Sequence, residues 1–331
     1  MASESSSQLD PNSSLLTQRV LLATAGYDHS IRLWEPHTGL CQRSLPHPDS
    51  HVNSLEFTPD RAKLAAGAHQ AVRIFDIESS NSTPFVRYEG FHKNVMCLGF
   101  CEDGRWMFTG GEDGNARIWD LRMAVTNELQ CQRVYKIGTS INCVFLHPNQ
   151  AELVLGDQLG TVHLWDLNTD SVEKLVPDST PSDRYNKSIQ GTCVDMDAVF
   201  LASVDTRGHC YVWSLNQQSG ERKVALRKDF DAHSGYALKC LFSPDSSLLA
   251  TTSSTGEIKL WSTVNFMIKN VLKCKGQRWV WDCAFTRDSQ YIVTASSDGI
   301  ARLWDTEQGQ LKREYAGHDK AIVCLAFNDD V

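Results

Sequence analysis

Threonine, histidine and aspartate recur in this chain at spacings that suit a proton relay. Thr24, Thr109, Thr251 and Thr294 each stand ten residues before a tryptophan, and Asp28, Asp113 and Asp298 stand six before one. His92, His233 and His318 each precede a short apolar run. A hydroxyl, an imidazole and a carboxylate within mutual reach are the parts of a hydrolase. An active site is normally single, however, and this set repeats, so the pattern points to structural hydrogen bonding. The chain holds no G-x-S-x-G, no H-E-x-x-H, no phosphate loop and no G-x-G-x-x-G. Cys97 and Cys101 have no second pair at ligand spacing and are expected in the core. The reading is therefore no enzyme, no cofactor and no metal site.

A repeat must position these residues. The phrases AGYDHSIRLWE, GGEDGNARIWD, LGDQLGTVHLWD, VDTRGHCYVWS, SSTGEIKLWS and SSDGIARLWD carry as their last aromatic Trp34, Trp119, Trp165, Trp213, Trp261 and Trp304. A seventh, AGAHQAVRIFD, puts Phe75 in the same place, and successive aromatics are 41, 44, 46, 48, 48 and 43 residues apart. Each phrase alternates apolar and polar residues with β-branched enrichment, the period of a half-buried strand. Gly114, Gly160, Gly208, Gly256 and Gly299 stand five residues before their aromatic, where a tight hairpin needs positive φ. Upstream lie seven further strand-like runs: VNSLEF, VMCLGF, INCVFL, IQGTCVDM, ALKCLF, VWDCAF and IVCLAF.

A period of about 40 to 45 residues ending in an aromatic resembles the WD-repeat family over essentially everything after Arg19. The last upstream run, Ile322–Phe327, has no hairpin after it, and the first hairpin, Val20–Glu35, has no such run before it. Joining them completes one blade and removes two open sheet edges. The predicted fold is all-β: a seven-bladed WD40 β-propeller over residues 20–331, closed by pairing of its terminal segments. Residues 1–19, Ser-rich and acidic, are expected to be a disordered tail without a secretory signal.

In WD-repeat proteins the four residue types form one buried chain: indole N–H to hydroxyl, hydroxyl to imidazole, imidazole to carboxylate. Two blades match it fully in sequence, one with Trp34, Thr24, Asp28 and His318 and the other with Trp119, Thr109, Asp113 and His92.

Composition narrows the function. A net charge of −8 with no basic run supplies no footprint for nucleic acid or an anionic membrane. No window approaches the roughly 20 apolar residues that cross a bilayer. Most of the 11 cysteines sit inside apolar runs, as core residues of a reducing compartment would. Triplets beginning at Asn12, Asn81 and Asn186 read as chance without a secretion signal. A docking role remains.

In an antiparallel blade, the start of the first strand and the turn between the second and third lie on one face. That face carries Tyr27, His69 and Glu112 from the turns, and Asn53, Asn94, Asn142, Tyr236, Trp279 and Trp281 from the strand starts. Gln158, Arg207 and Lys320 fall there too. Trp279 and Trp281 are additional to the repeat tryptophan of their blade, Trp304. Exposed aromatics of this kind act as binding hot spots.

Several stretches resemble one family more closely: ATAGYDHSIRLW, EDGRWMFTGGEDGNARIWDLR, CVFLHPNQAELVLGDQ, FSPDSSLLAT, DSQYIVTASSD and KREYAGHDKAIVCLAFNDD. From about Val20 to Val331 the chain is similar to the small G-protein-β-like subunits of the target-of-rapamycin (TOR) kinase complexes. The resemblance implies a bare monomeric propeller that clamps the TOR kinase domain, and through it meets the other subunits, in growth and cytoskeletal signalling. It implies that Trp279 and Trp281 contact the kinase, and a cytoplasmic location with recruitment to organelle membranes through the complex. Phe75 and the polar connection from Pro177 to Ser188 depart from the family pattern. The rival reading is a substrate adaptor, such as a ubiquitin-ligase receptor or a histone-tail reader.

Overall fold

The computed structural model describes residues 21–122, 131–177, 187–218 and 221–329. The expected tail and most of the Pro177–Ser188 connection lie outside the described residues. The rest forms 28 strands in seven four-stranded antiparallel sheets. Numbered by their aromatics, blade one holds Trp34, blade two Phe75, blade three Trp119, and so on to Trp304 in blade seven.

Blade one is built from both ends of the chain, in the order Ile322–Asn328, Leu21–Gly26, Ser30–Trp34, Cys41–Pro46. Leu21 pairs with Asn328 and Ala25 with Cys324, after which a bulge brings Gly26 opposite Ile322. A Cβ on Gly26 would collide with the Ala321 carbonyl oxygen, so the returning strand fits only against glycine. The predicted closure is present.

The other six blades follow one another along the chain, and the first strand of each packs on that of the next all the way round. Second strands are the most buried: every residue of Leu21–Gly26 and Leu248–Ser253 is buried. Outer strands such as Leu311–Ala316 bury only one residue, here Tyr315. Apolar side chains therefore meet between blades, as where Trp34, Tyr315, Val293 and Ile322 join blades one and seven. Burying one such aromatic contributes roughly 2–3 kcal/mol, so each blade holds the next.

The five hairpin glycines have φ between 74° and 89°. Blades one and two place His29 (φ 60°) and Gln70 (φ 55°) at that position instead. Phe75 is buried where other blades carry tryptophan, and the residue ten before it is Ala65, not threonine. A ring without an N–H needs no acceptor, so one substitution explains the other.

Candidate docking face and the buried polar chains

The blade-one chain is continuous. Trp34 Nε1–H donates to Thr24 Oγ1 at 2.7 Å, Thr24 Oγ1 meets His318 Nε2 at 2.7 Å, and His318 Nδ1 meets Asp28 Oδ2 at 2.6 Å. Burial lowers the pKa of His318, against the pull of Asp28. Burial works to raise Asp28, but the charge and hydrogen bond of His318, with help from Ser30, hold it below the usual carboxylate range. Thr24 is fully buried and bonded on both sides, so its hydroxyl faces no substrate.

Blade three corrects the sequence reading. Trp119 does donate to Thr109, at 3.0 Å, but His92 is exposed and takes no part. The histidine position is set by the first strand: His318 stands four residues before Ile322 and His233 four before Ala237. Counting four back from Val95 gives Phe91, which packs on Trp119 with ring centroids 5.2 Å apart. Asp113 then binds Arg117 instead, through contacts of 2.7 and 3.2 Å. Blade seven does the same with Asp298 and Arg302, at 2.7 Å.

The remaining blades lose other members. In blade six Trp261 and His233 share Thr251, both at 2.9 Å, but no carboxylate follows and His233 Nδ1 is buried without a partner. In blade four, where Leu155 replaces threonine, Trp165 donates to Asp170 at 2.8 Å. Among the described residues, the four-member chain is complete only where the ring closes.

Strand starts and second-to-third-strand turns share one face. Glu112, Asn142, Gln158, Arg207 and Tyr236 line a single open depression of about 1250 Å³. Beside it stands an aromatic group, with Tyr236 50% and Trp279 36% exposed. Their rings meet edge to face, 5.7 Å apart at 88°, and Trp281, half-buried, lies 5.1 Å from Trp279. These aromatics are outside the seven core clusters.

The other candidates divide. Tyr27 is 42% exposed and packs on His51 at 4.8 Å, a histidine not picked out from sequence. His69, exposed, bonds Asn94 Oδ1 at 2.9 Å, and Glu112 is half-buried. Asn53 Nδ2 donates to the Val95 carbonyl at 3.2 Å, and Asn142 Nδ2 to that of Ile189 at 2.8 Å. Both asparagines therefore tie one blade to the next on this face. Among the described residues, the face offers shape, aromatic area and hydrogen bonds.

The chain matches the family model described as WD domain, G-beta repeat, at residues 39–76, 83–120, 224–262 and 268–305. Each match begins at the outer strand of one blade and ends on the third strand of the next. It is 51% identical over 321 residues to "Target of rapamycin complex subunit LST8" of Bos taurus, covering 94% of this chain and 96% of that one. "Protein LST8 homolog" of Drosophila melanogaster is 43% identical, covering 95% and 98%. The Saccharomyces cerevisiae "Target of rapamycin complex subunit LST8" is 41% identical, covering 94% and 99%. Among solved structures, the β-propeller domain of Cps50 (Swd1) from Myceliophteria thermophila superposes with a TM-score of 0.69 at 15% identity, covering 83% of this chain and 89% of that one. That likeness concerns the fold alone. With relatives 41–51% identical over nearly their whole length, the chain belongs to the LST8 family of WD-repeat propellers.

Proposed function

We propose that this propeller is a non-catalytic scaffold subunit of TOR kinase complexes, gripping and stabilising the kinase domain with its aromatic face. The observation that carries the reading is the Tyr236–Trp279–Trp281 group, with Tyr236 and Trp279 exposed and Trp281 half-buried, on a propeller whose relatives are named TOR complex subunits. Tyr27, His69, Glu112, Asn53, Asn94 and Asn142 supply the polar surround. Two indoles covered by a partner contribute on the order of 2–4 kcal/mol each, a factor of roughly 30 to 1,000 in affinity. The non-enzymatic part of the reading is supported by the buried state of Thr24 and Thr109, each engaged by its tryptophan. The proposed site of action is the cytoplasm, with organelle membranes reached through the complex.

The test is recovery of tagged protein from cells, followed by affinity measurement. Wild type is expected to bring down the TOR kinase, and a folded Trp279→Ala, Trp281→Ala double variant to bind at least about 100-fold more weakly. Recovery of a ubiquitin ligase or of histone tails in place of the kinase would overturn the reading in favour of a substrate adaptor. Equal binding by the double variant would move the site elsewhere on the ring.

A further inference from the structure

The repeat allows each blade to be compared with the others at the ends of its strands. The residue before the second strand is Ala62, Ala151, Val199, Ser247 or Gln290 in blades two and four to seven, but Arg105 in blade three. Third strands end on aspartate in blades two, three, four and seven, and two residues further stand Glu78, Asn168 and Glu307, but Arg122 in blade three. Blade three thus carries two arginines that the repeat does not require. Arg133, in its outer strand Cys131–Lys136, reaches the Leu167 carbonyl of blade four, as Arg43 and Arg313 reach the neighbours of blades one and seven. All three arginines open on one cleft of about 350 Å³ between blades three and four, with half-buried Trp106 on its wall. Trp106 begins a second strand that ends beside Glu112, so the cleft lies on the face opposite the docking face.

Donors and acceptors are unequally used in this cleft. Its carboxylates, Asp103 and Asp120, are both committed to nearby donors. Asp120 accepts Nε, Nη2 and the backbone N–H of Arg122, and Nε2 of Gln132, at 2.6 to 3.2 Å. Asp103 Oδ1 accepts the Cys101 thiol and the Arg105 backbone N–H, and its Oδ2 pairs with Arg105 Nε at 3.2 Å. Among the described residues, these bonds leave Nη1 of Arg122, both terminal nitrogens of Arg105 and Nη2 of Arg133 unused. The side chains of Arg105 and Arg122 are 68% and 67% exposed, so the unused N–H groups face outward while one edge of each guanidinium is held by the protein. Three guanidinium groups against two carboxylates leave the lining one charge positive, on a chain whose net charge is −8. A carboxylate would use two oxygens and bring one charge. A phosphate monoester brings three acceptor oxygens and close to two negative charges, which suits three partly occupied guanidinium groups better.

We propose that this cleft binds a phosphorylated serine or threonine side chain on a segment of a partner protein, with Arg105 and Arg122 holding the phosphate and Arg133 at its edge. The cleft also presents Trp106 and the side-chain amides of Gln150 and Asn168, which a free phosphate leaves idle and a peptide backbone with its flanking side chains engages. Its volume accommodates one phosphorylated side chain and the residues beside it. Because the cleft is on the face away from Trp279, the site stands independently of the proposed kinase contact.

The test uses the full chain and a degenerate heptapeptide pool with a central phosphoserine or phosphothreonine, beside the same pool with serine or threonine. Wild type is expected to retain the phosphorylated pool about tenfold or more above the unphosphorylated one, and Arg105→Gln to lose that preference. Arg87→Gln, at an exposed arginine paired with Glu89 on blade two, is expected to keep it. Phenylglyoxal labelling of wild type, located by peptide mass spectrometry, needs no variant: the phosphorylated pool is expected to protect Arg105 and Arg122 and to leave Arg87 unchanged. Inorganic phosphate is expected to displace the pool only at about tenfold or higher concentration than a phosphorylated peptide does. Equal retention of the two pools overturns the proposal, as does a preference that survives Arg105→Gln. Absence of protection at Arg105 and Arg122 overturns it as well. Displacement by inorganic phosphate at the peptide's own concentration also overturns it, because the cleft then takes the bare anion and reads no protein segment.

Discussion

Thr24 Oγ1 and His318 Nε2 lie 2.7 Å apart although 294 residues separate them along the chain. That contact, with Asp28 behind it and Trp34 in front, joins the two ends of the polypeptide inside one blade. Replacing His318 with alanine strands a buried carboxylate and a buried hydroxyl at once. The expected loss in urea unfolding is about 3 kcal/mol. Thr109→Val in blade three, where the chain stops after one bond, is expected to cost only about 1 kcal/mol. Hydrogen exchange then reports the location: His318→Ala is expected to speed exchange in Leu21–Gly26 before the other blades. A uniform loss of protection would mean that the seam is no weaker than the rest of the ring.

The histidine of blade six makes stability depend on pH. Burial first, and the nearby Lys259 second, lower the pKa of His233 from 6.5 to about 4. The folded state therefore holds His233 neutral over a range in which the unfolded chain takes up a proton. Its contribution is fully present above pH 6.5 and is lost progressively as pH falls from 6.5 towards 4. Between pH 7.5 and 5 this amounts to about 2 kcal/mol. Burial lowers His318, His47 and His51 as well, and all three act in the same sense. Urea midpoints measured across this range are expected to fall with acidification, and His233→Gln to flatten the slope. An unchanged slope would place the sensitivity in the other three histidines.

Blade six also offers a gain. Thr255 stands six residues before Trp261, the position held by Asp28 relative to Trp34, and His233 Nδ1 is buried without a partner. Thr255→Asp supplies the missing acceptor and completes a second four-member chain. The expected result is a rise in the His233 pKa of about one unit and about 1 kcal/mol of added stability. Lys259, four residues beyond, competes for the new carboxylate as Arg117 does for Asp113 in blade three. NMR titration distinguishes the two outcomes, because a carboxylate bonded to Nδ1 fixes a proton on that nitrogen and gives a hydrogen-bonded Nδ1–H resonance, whereas capture by Lys259 does not.

The architecture was legible because a strand's two-residue period and the hairpin before each aromatic are local signals. Phe75 did not obscure it, since an aromatic at the repeat position and the strand alternation around it survive. His92 misled because the imidazole position is fixed relative to the first strand, not to the tryptophan, and the intervening loop varies in length. Counting four residues back from Val95 finds Phe91 without any coordinates. Trp279 and Trp281 stood out because the repeat already had its tryptophan. Lys239 and Asp282, which pair at 3.1 Å between blades six and seven, did not, because alternation separates the two sides of a strand without revealing which positions meet between first strands packed round a ring. That is a property of the closed ring, and each run read alone looks like an ordinary half-exposed strand.

The edge-to-face contact of Tyr236 with Trp279 separates aromatic shape from polar contact in docking. At 5.7 Å and 88°, the tyrosine ring presses on the indole and limits its rotation before any partner arrives. Preorganisation of this kind strengthens binding by reducing the ordering left to do in the complex. Tyr236→Ala is expected to weaken kinase-domain binding by about 0.5–1.5 kcal/mol, a factor of roughly 2 to 12. Tyr236→Phe keeps the ring and is expected to bind like wild type. Combining Tyr236→Ala with Trp279→Ala should then cost less than the sum of the two, because the tyrosine acts partly through the tryptophan. Strict additivity would make Tyr236 an independent contact, and a loss in Tyr236→Phe equal to that in Tyr236→Ala would assign its role to the hydroxyl.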